Sequence, residues 1–189
     1  MYLQAVAGYE KALGRDHSST LRIVNNLGDF YRKNCRLINM LELVSQWGSK
    51  GVALFGALGR LLLQVSDDKS AQRAFQYQHA YHGGSTVYAW CDECDGGITA
   101  DCGRTVCRHC ADVDLCRACF RQHNAETRTR PSCEGHSFYE VILTGSDGVQ
   151  DALALKSEVS SWFQDLVIRY PRTDLLDRTR AWDRRVAAA

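Results

Sequence analysis

The stretch CDECDGGITADCGRTVCRHCADVDLCRACF, residues 91–120, carries seven cysteines in thirty positions. Two more pieces complete its pattern. Cys133 and His136 follow downstream, again with two residues between them. The candidate ligands therefore fall into four pairs: Cys91 and Cys94, Cys107 and Cys110, Cys116 and Cys119, Cys133 and His136. A two-residue gap lets a turn aim both ligand atoms at one ion while backbone amides donate to the sulfurs. Structural zinc takes four such ligands, so eight ligands supply two closed tetrahedral sites, and the chain is expected to hold two zinc ions.

The rest of the composition supports metal over disulfides. The N-terminus, MYLQAVAGYEKALGRDH, has neither a basic n-region nor an apolar h-region, so no signal peptide is expected. Thiols in an intracellular, cytoplasmic setting stay reduced, and reduced C-x-x-C pairs point to metal. The most apolar stretch, VALFGALGRLLLQV from Val52 to Val65, is short and interrupted by Arg60. It reads as a buried helix rather than a membrane span. With 189 residues, 45% of them hydrophobic, and a net charge of +1, the chain has no global field that would draw it to nucleic acid or membrane.

Upstream of the cysteine block the periodicity is helical. Tyr2, Ala5, Tyr9 and Ala12 recur at three- and four-residue steps. Ile23, Leu27, Phe30 and Tyr31 mark a second helix, with Ser18 or Ser19 as its expected N-cap. RLINMLELVSQW, GVALFGALGRLLLQVS and DDKSAQRAFQYQHAY give three more, the last with Asp67 or Asp68 at its start. Leu27-Gly28 followed by Tyr31 is echoed by Leu58-Gly59 followed by Leu62. Ala71 and Phe75 continue that echo. Small residues let one helix approach another, and large ones fill the space between. This pattern resembles degenerate tetratricopeptide repeats of the kinesin-light-chain type, a helical-hairpin array. Met40 and Val44 depart from it. The chain also starts within what the resemblance makes the second helix of a unit, so the array is expected to be truncated at its N-terminus. After the cysteine block, Leu155, Val159, Trp162 and Leu166 form one stripe of a final helix.

The ligand pairs leave two arrangements open. Sequence neighbours could share an ion, giving beads on a string. Alternatively, the first pair could share with the third and the second with the fourth, making one compact core. The segments CDEC, CRHCADVDLC, Cys119 and Gly135-His136-Ser137-Phe138 resemble the ZZ-type zinc finger, over residues 90–142. That resemblance implies the interleaved, cross-braced pairing: Cys91, Cys94, Cys116 and Cys119 on one zinc, and Cys107, Cys110, Cys133 and His136 on the other. Cys133 stands where the family usually has histidine. The 98–107 segment is slightly long and carries Cys102, which is expected to be a spare thiol. The finger's own core is expected to comprise Trp90, Leu115, Phe120, Phe138, Val141 and Ile142.

The expected fold is thus mainly α, with a helical-repeat region over 1–82, a zinc-stapled α+β module over 87–143, and a C-terminal helical segment over 150–189. Closed sites leave no coordination position for substrate, and no nucleophile–base constellation or phosphate-cradling loop is present, so the chain is not expected to be an enzyme. Asp112 and Asp114 lie two apart and face the same way if extended. With Asp92 they would favour a multi-donor cation. ZZ fingers that read free N-termini have acidic residues at these places, so the resemblance implies a peptide partner held by its ammonium through Asp92, Asp112 and Asp114. A general protein-interaction scaffold fits the same features. Two alternatives compete. A RING-like ubiquitin-ligase component lacks its next ligand among residues 111–114. A nucleic-acid-binding finger has six arginines (Arg104, Arg108, Arg117, Arg121, Arg128 and Arg130) against nine acidic residues between Asp92 and Glu140, so nucleic acid is not an expected partner, nor is membrane.

Overall fold

A computed structural model describes residues 2–48, 50, 52–81, 87–110, 112–125, 133–143 and 152–170, with side chains from 155 onward in the last helix. Five helices come first: α1 (Tyr2–Leu13), α2 (Ser18–Lys33), α3 (Leu37–Trp47), α4 (Ala53–Gln64) and α5 (Asp68–Tyr81). Successive helices pack as hairpins around a core in which Val24, Met40, Leu58, Leu62, Ala71 and Phe75 are completely buried. Each of the large side chains among them contributes about 1.5–3 kcal/mol by leaving water.

The two echoed glycines have a shared reason. A Cβ at Gly59 would lie 2.8 Å from the Phe75 ring, and one at Gly28 would lie 2.5 Å from Leu54 Cδ2. Both therefore permit a close helix approach filled by a large partner, as the small–large pattern anticipates.

Several local expectations need adjusting. The N-cap of α2 is His17, whose Nδ1 accepts from the Ser19 amide at 3.2 Å, rather than Ser18 or Ser19. Asp67 does start α5, its Oδ1 accepting from the Ser70 amide at 3.1 Å. In α1 only Val6 is buried, whereas Tyr2 and Tyr9 are about two-fifths exposed (41% and 39%), so its apolar face is only partly covered.

The cysteine block folds into two small antiparallel sheets. β1 (Ala89–Trp90) pairs with β2 (Gly97–Ile98). β3 (Arg104–Cys107) is flanked by β4 (Asp114–Cys116) and β5 (Phe138–Val141), in the order β4-β3-β5. One helix, α6 (Arg117–Asn124), follows β4. All four residues of β3 are buried, because the strand is covered on both faces and its side chains alternate between them. Val106, with Val141, joins the core of the helices, whereas Cys107 joins Tyr88, Ile98, Val113 and Leu115 in a second cluster. Two of the expected finger-core residues are outside: Trp90 is 67% and Ile142 62% exposed. Trp90 is the last residue of the two-residue β1 and Ile142 follows the four-residue β5, and strands this short do not bury the residue at their ends. Val141 is buried, but in the helical core, and Phe120 and Phe138 pack only partly buried against the finger's cluster.

The last helix, α7 (Ala152–Arg169), places Leu155, Trp162 and Leu166 in the helical core. Trp162 meets Tyr77 of α5 edge-on at 5.0 Å. Arg169 and Tyr170 both donate to Asp67 Oδ2, at 3.0 and 2.9 Å. The GGST and TGSDG connections and the tail after 170 lie outside the described residues. Among those described, no helix is long and apolar enough to cross a membrane.

Candidate metal centres and the acidic face

The eight pattern residues come together as two tetrads: Cys91, Cys94, Cys116 and Cys119, and Cys107, Cys110, Cys133 and His136. Within the tetrads the ligand atoms all lie within 4.8 Å of one another. First pair meets third and second meets fourth, so the chain crosses itself.

Each ligand sits at a backbone break. Cys91 leaves β1, and its knuckle closes with the Cys91 amide on Gly96 O at 2.8 Å. Cys107 ends β3, Cys116 ends β4, and Cys119 lies in the first turn of α6. Cys133 and His136 share a turn closed by His136 N on Cys133 O at 3.0 Å, with Gly135 at φ +71°, a left-handed position that glycine takes without strain.

The spacing tests the ion. Tetrahedral zinc with bonds of about 2.3 Å to sulfur and about 2.0–2.1 Å to nitrogen separates two thiolates by about 3.8 Å and a thiolate from a ring nitrogen by about 3.6 Å. The second tetrad has Cys110 Sγ to Cys133 Sγ at 3.6 Å, and His136 Nδ1 at 3.5 Å from Cys107 and 3.4 Å from Cys110. These donors fit zinc.

The protonation chemistry agrees. Burial, then the neighbouring Cys133 and Cys107 sulfurs, push the Cys110 thiol up to about 12. Burial and its three companion sulfurs likewise raise Cys119. Burial also acts against the Cys91 thiolate, but amide donors from Cys116, Cys94 and Glu93 outweigh it and lower its pKa. Crowded thiols cannot all ionise side by side unless a cation sits among them, which reverses that balance. Burial and His109 lower His136, favouring the neutral imidazole that ligates metal.

Three further groups of the block lie outside both tetrads. Cys102 joins neither tetrad and instead accepts the Thr99 amide at 3.1 Å. His109 is exposed and stacks on His136 at 4.8 Å, and His123 meets Phe138 edge-on at 5.0 Å.

The three aspartates have separate surroundings. Asp114 is buried, and its carboxylate takes a bidentate fork from Arg104 (Nε to Oδ1 3.0 Å, Nη2 to Oδ2 2.9 Å) plus Arg60 Nη2 at 2.5 Å. Burial alone would raise its pKa, but the two guanidiniums hold it below the usual carboxylate range. Asp92 Oδ2 accepts the Asp114 amide at 2.6 Å. Asp112 is 60% exposed at its side chain and pairs with Arg32 Nη2 at 2.5 Å, and that same atom meets Asp29 at 3.2 Å. Asp112 and Asp114 thus both turn toward arginines of α2 and α4.

Sequence reading missed those arginines. Arg60 registered only as an interruption of an apolar helix. A lone charge in such a run requires a buried counter-charge, and that was the available signal. Arg104, counted among surface arginines, is 3% exposed and also stacks over Phe75 at 4.9 Å. Arg108 forks onto Asp68 with both bonds at 2.6 Å.

Comparison with protein-family models, curated proteins and solved structures gives no significant match. The likenesses to ZZ-type fingers and tetratricopeptide repeats therefore rest on the residue pattern alone.

Proposed function

We propose that this chain is a zinc-stapled protein-interaction scaffold. In this reading a ZZ-type finger with two structural zinc ions is fixed to a tetratricopeptide-like array and presents a surface to a protein or peptide partner. The observation that carries it is the pair of complete tetrads. Four protein ligands per ion leave no position for water or substrate, so the metal's role is to hold the fold.

The nucleic-acid alternative loses support from the pairing of Arg104, Arg108 and Arg117 with Asp114, Asp68 and Glu140. The RING-like alternative gains none from the geometry, since the ligands are accounted for by the four spaced pairs.

A specific observation favours a free peptide N-terminus as the partner chemistry. Of the three aspartates, Asp112 is the exposed one, and it already attracts a multi-donor cation, the guanidinium of Arg32, while Asp114 is buried against Arg60 and Arg104. An incoming ammonium would exchange with Arg32 at Asp112, the most exposed of the three carboxylates. Titrating the intact zinc-loaded chain with a peptide and its Nα-acetylated form tests the reading. It expects preference for the free form and loss of that preference in Asp112→Ala. Equal binding of both forms would refute it.

A further inference from the structure

A polar cleft of about 130 Å³ opens where the finger meets the helices, lined by Asp29, Arg32, Ala53, Gly56, Ala57, Arg60, Gln78, Arg104 and Asp112. Its walls are small residues of α4, and its charges come from both modules.

Those charges are divided. On one side a single guanidinium, Arg32, faces two carboxylates, Asp29 and Asp112, at 3.2 and 2.5 Å. One positive against two negatives leaves that side one charge negative. On the other side two guanidiniums, Arg60 and Arg104, share the single carboxylate of Asp114. Two positives against one negative leave that side one charge positive. The carboxylates of the negative side are more than half exposed, with Asp29 at 57% and Asp112 at 60%. Each has lone pairs beyond those that Arg32 occupies.

The positive side holds an unmet donor. Arg60 is only 8% exposed, and its Nη1 is buried without a hydrogen-bond partner. Leaving a buried charged donor unpaired is costly, so an oxygen that reaches it gains what the protein does not supply. A carboxylate is the natural acceptor for a guanidinium edge.

We propose that this cleft binds a small zwitterion of the α-amino-acid type, its ammonium at Asp29 and Asp112 and its carboxylate at Arg60. The volume, well below the several hundred Å³ of a drug-sized pocket, admits the zwitterionic head and a small side chain. This site shares Asp112 with the peptide reading above but also needs Asp29 of α2 and Arg60 of α4, which that reading does not use.

Glycine is the probe. The intact zinc-loaded chain is titrated, by amide and side-chain NMR shifts, with glycine, glycinamide and N-acetylglycine. The amide lacks the negative end and the acetyl compound lacks the positive one. The proposal expects saturable shifts with glycine, at least about tenfold weaker binding of each analogue, and a similar weakening for glycine in Asp29→Asn. Asp29 is half exposed, and an unchanged melting temperature confirms that this variant stays folded. Glycinamide binding as well as glycine would show an ammonium site of the peptide-terminus kind and overturn the zwitterion. No saturable shift with glycine, or no effect of Asp29→Asn, would overturn the site itself.

Discussion

The helices and the finger solve the same problem by different means. Among the helices, Val24, Met40, Leu58, Leu62 and Phe75 reach zero exposure through apolar contact. Among the described residues, the finger's own cluster buries Tyr88, Ile98, Val113 and Leu115 beside four of its cysteines, with Phe120 and Phe138 partly buried against them. A module of that size cannot offset its chain entropy by burial, whereas a structural zinc in each tetrad would, at on the order of 10–16 kcal/mol of apparent binding energy apiece. The contrast teaches where each half is vulnerable. Their junction adds a third kind of bond, since it is made of Arg60, Arg104 and Asp114 beside the apolar pair Val106 and Val141.

The largest expected effect separates the two halves outright. Cys107→Ala removes a ligand of one tetrad and the last residue of β3. The finger should lose its fold, seen as collapse of its NMR dispersion, while far-UV helicity from α1–α5 persists. Concerted loss of both would erase the distinction.

Next comes the junction. Asp114→Ala leaves two buried guanidiniums without their counter-charge, and breaking a buried pair costs about 3–5 kcal/mol. Denaturant unfolding should show that loss with the zinc count still at two. A cost below about 1 kcal/mol would mean that the finger does not rely on this pair.

A smaller effect sharpens the picture on the array side. Burial acts to raise the Asp67 pKa, but bonds from Ser70, Tyr170 and Arg169 hold it below the usual value. A depressed carboxylate contributes stability that is present above its unfolded pKa of about 3.9 and is lost as pH falls through the lower folded value. The α7 dock should therefore persist on acidification until below that range. Trp162 fluorescence follows it, and release of α7 well above pH 4 would contradict the assignment.

The smallest effect is expected at Cys102. Cys102→Ser should leave two zinc ions bound and shift stability by less than about 0.5 kcal/mol, as a change away from the critical features does. A lost zinc would place Cys102 among the ligands.

Much of this was legible because spacing is local. C-x-x-C pairs fix where ligand atoms point, and three- and four-residue apolar steps fix helix faces, so the four ligand pairs and the helical elements could be read from residues near one another in the chain, whereas which pairs share an ion followed only from the resemblance to ZZ-type fingers. What was hidden depends on distant partners. Trp90 and Ile142 look like core residues, but they sit at strand ends and are mostly exposed among the described residues. Val141 looks like a finger residue, yet the sheet's outer face is covered by α5. Arg60 and Asp114 are fifty-four positions apart, and no local pattern announces that they meet. The site's charges at Asp29 and Arg32 stayed unread for the same reason.

The central claim is that two ions, each enclosed by four side chains, hold the finger together. Native mass spectrometry of the purified chain, before and after a strong chelator, tests it most directly. The account predicts a mass increment of two zinc ions that disappears together with the finger's ordered NMR signals. A chain that binds fewer ions, or keeps an ordered finger once stripped of metal, would contradict it.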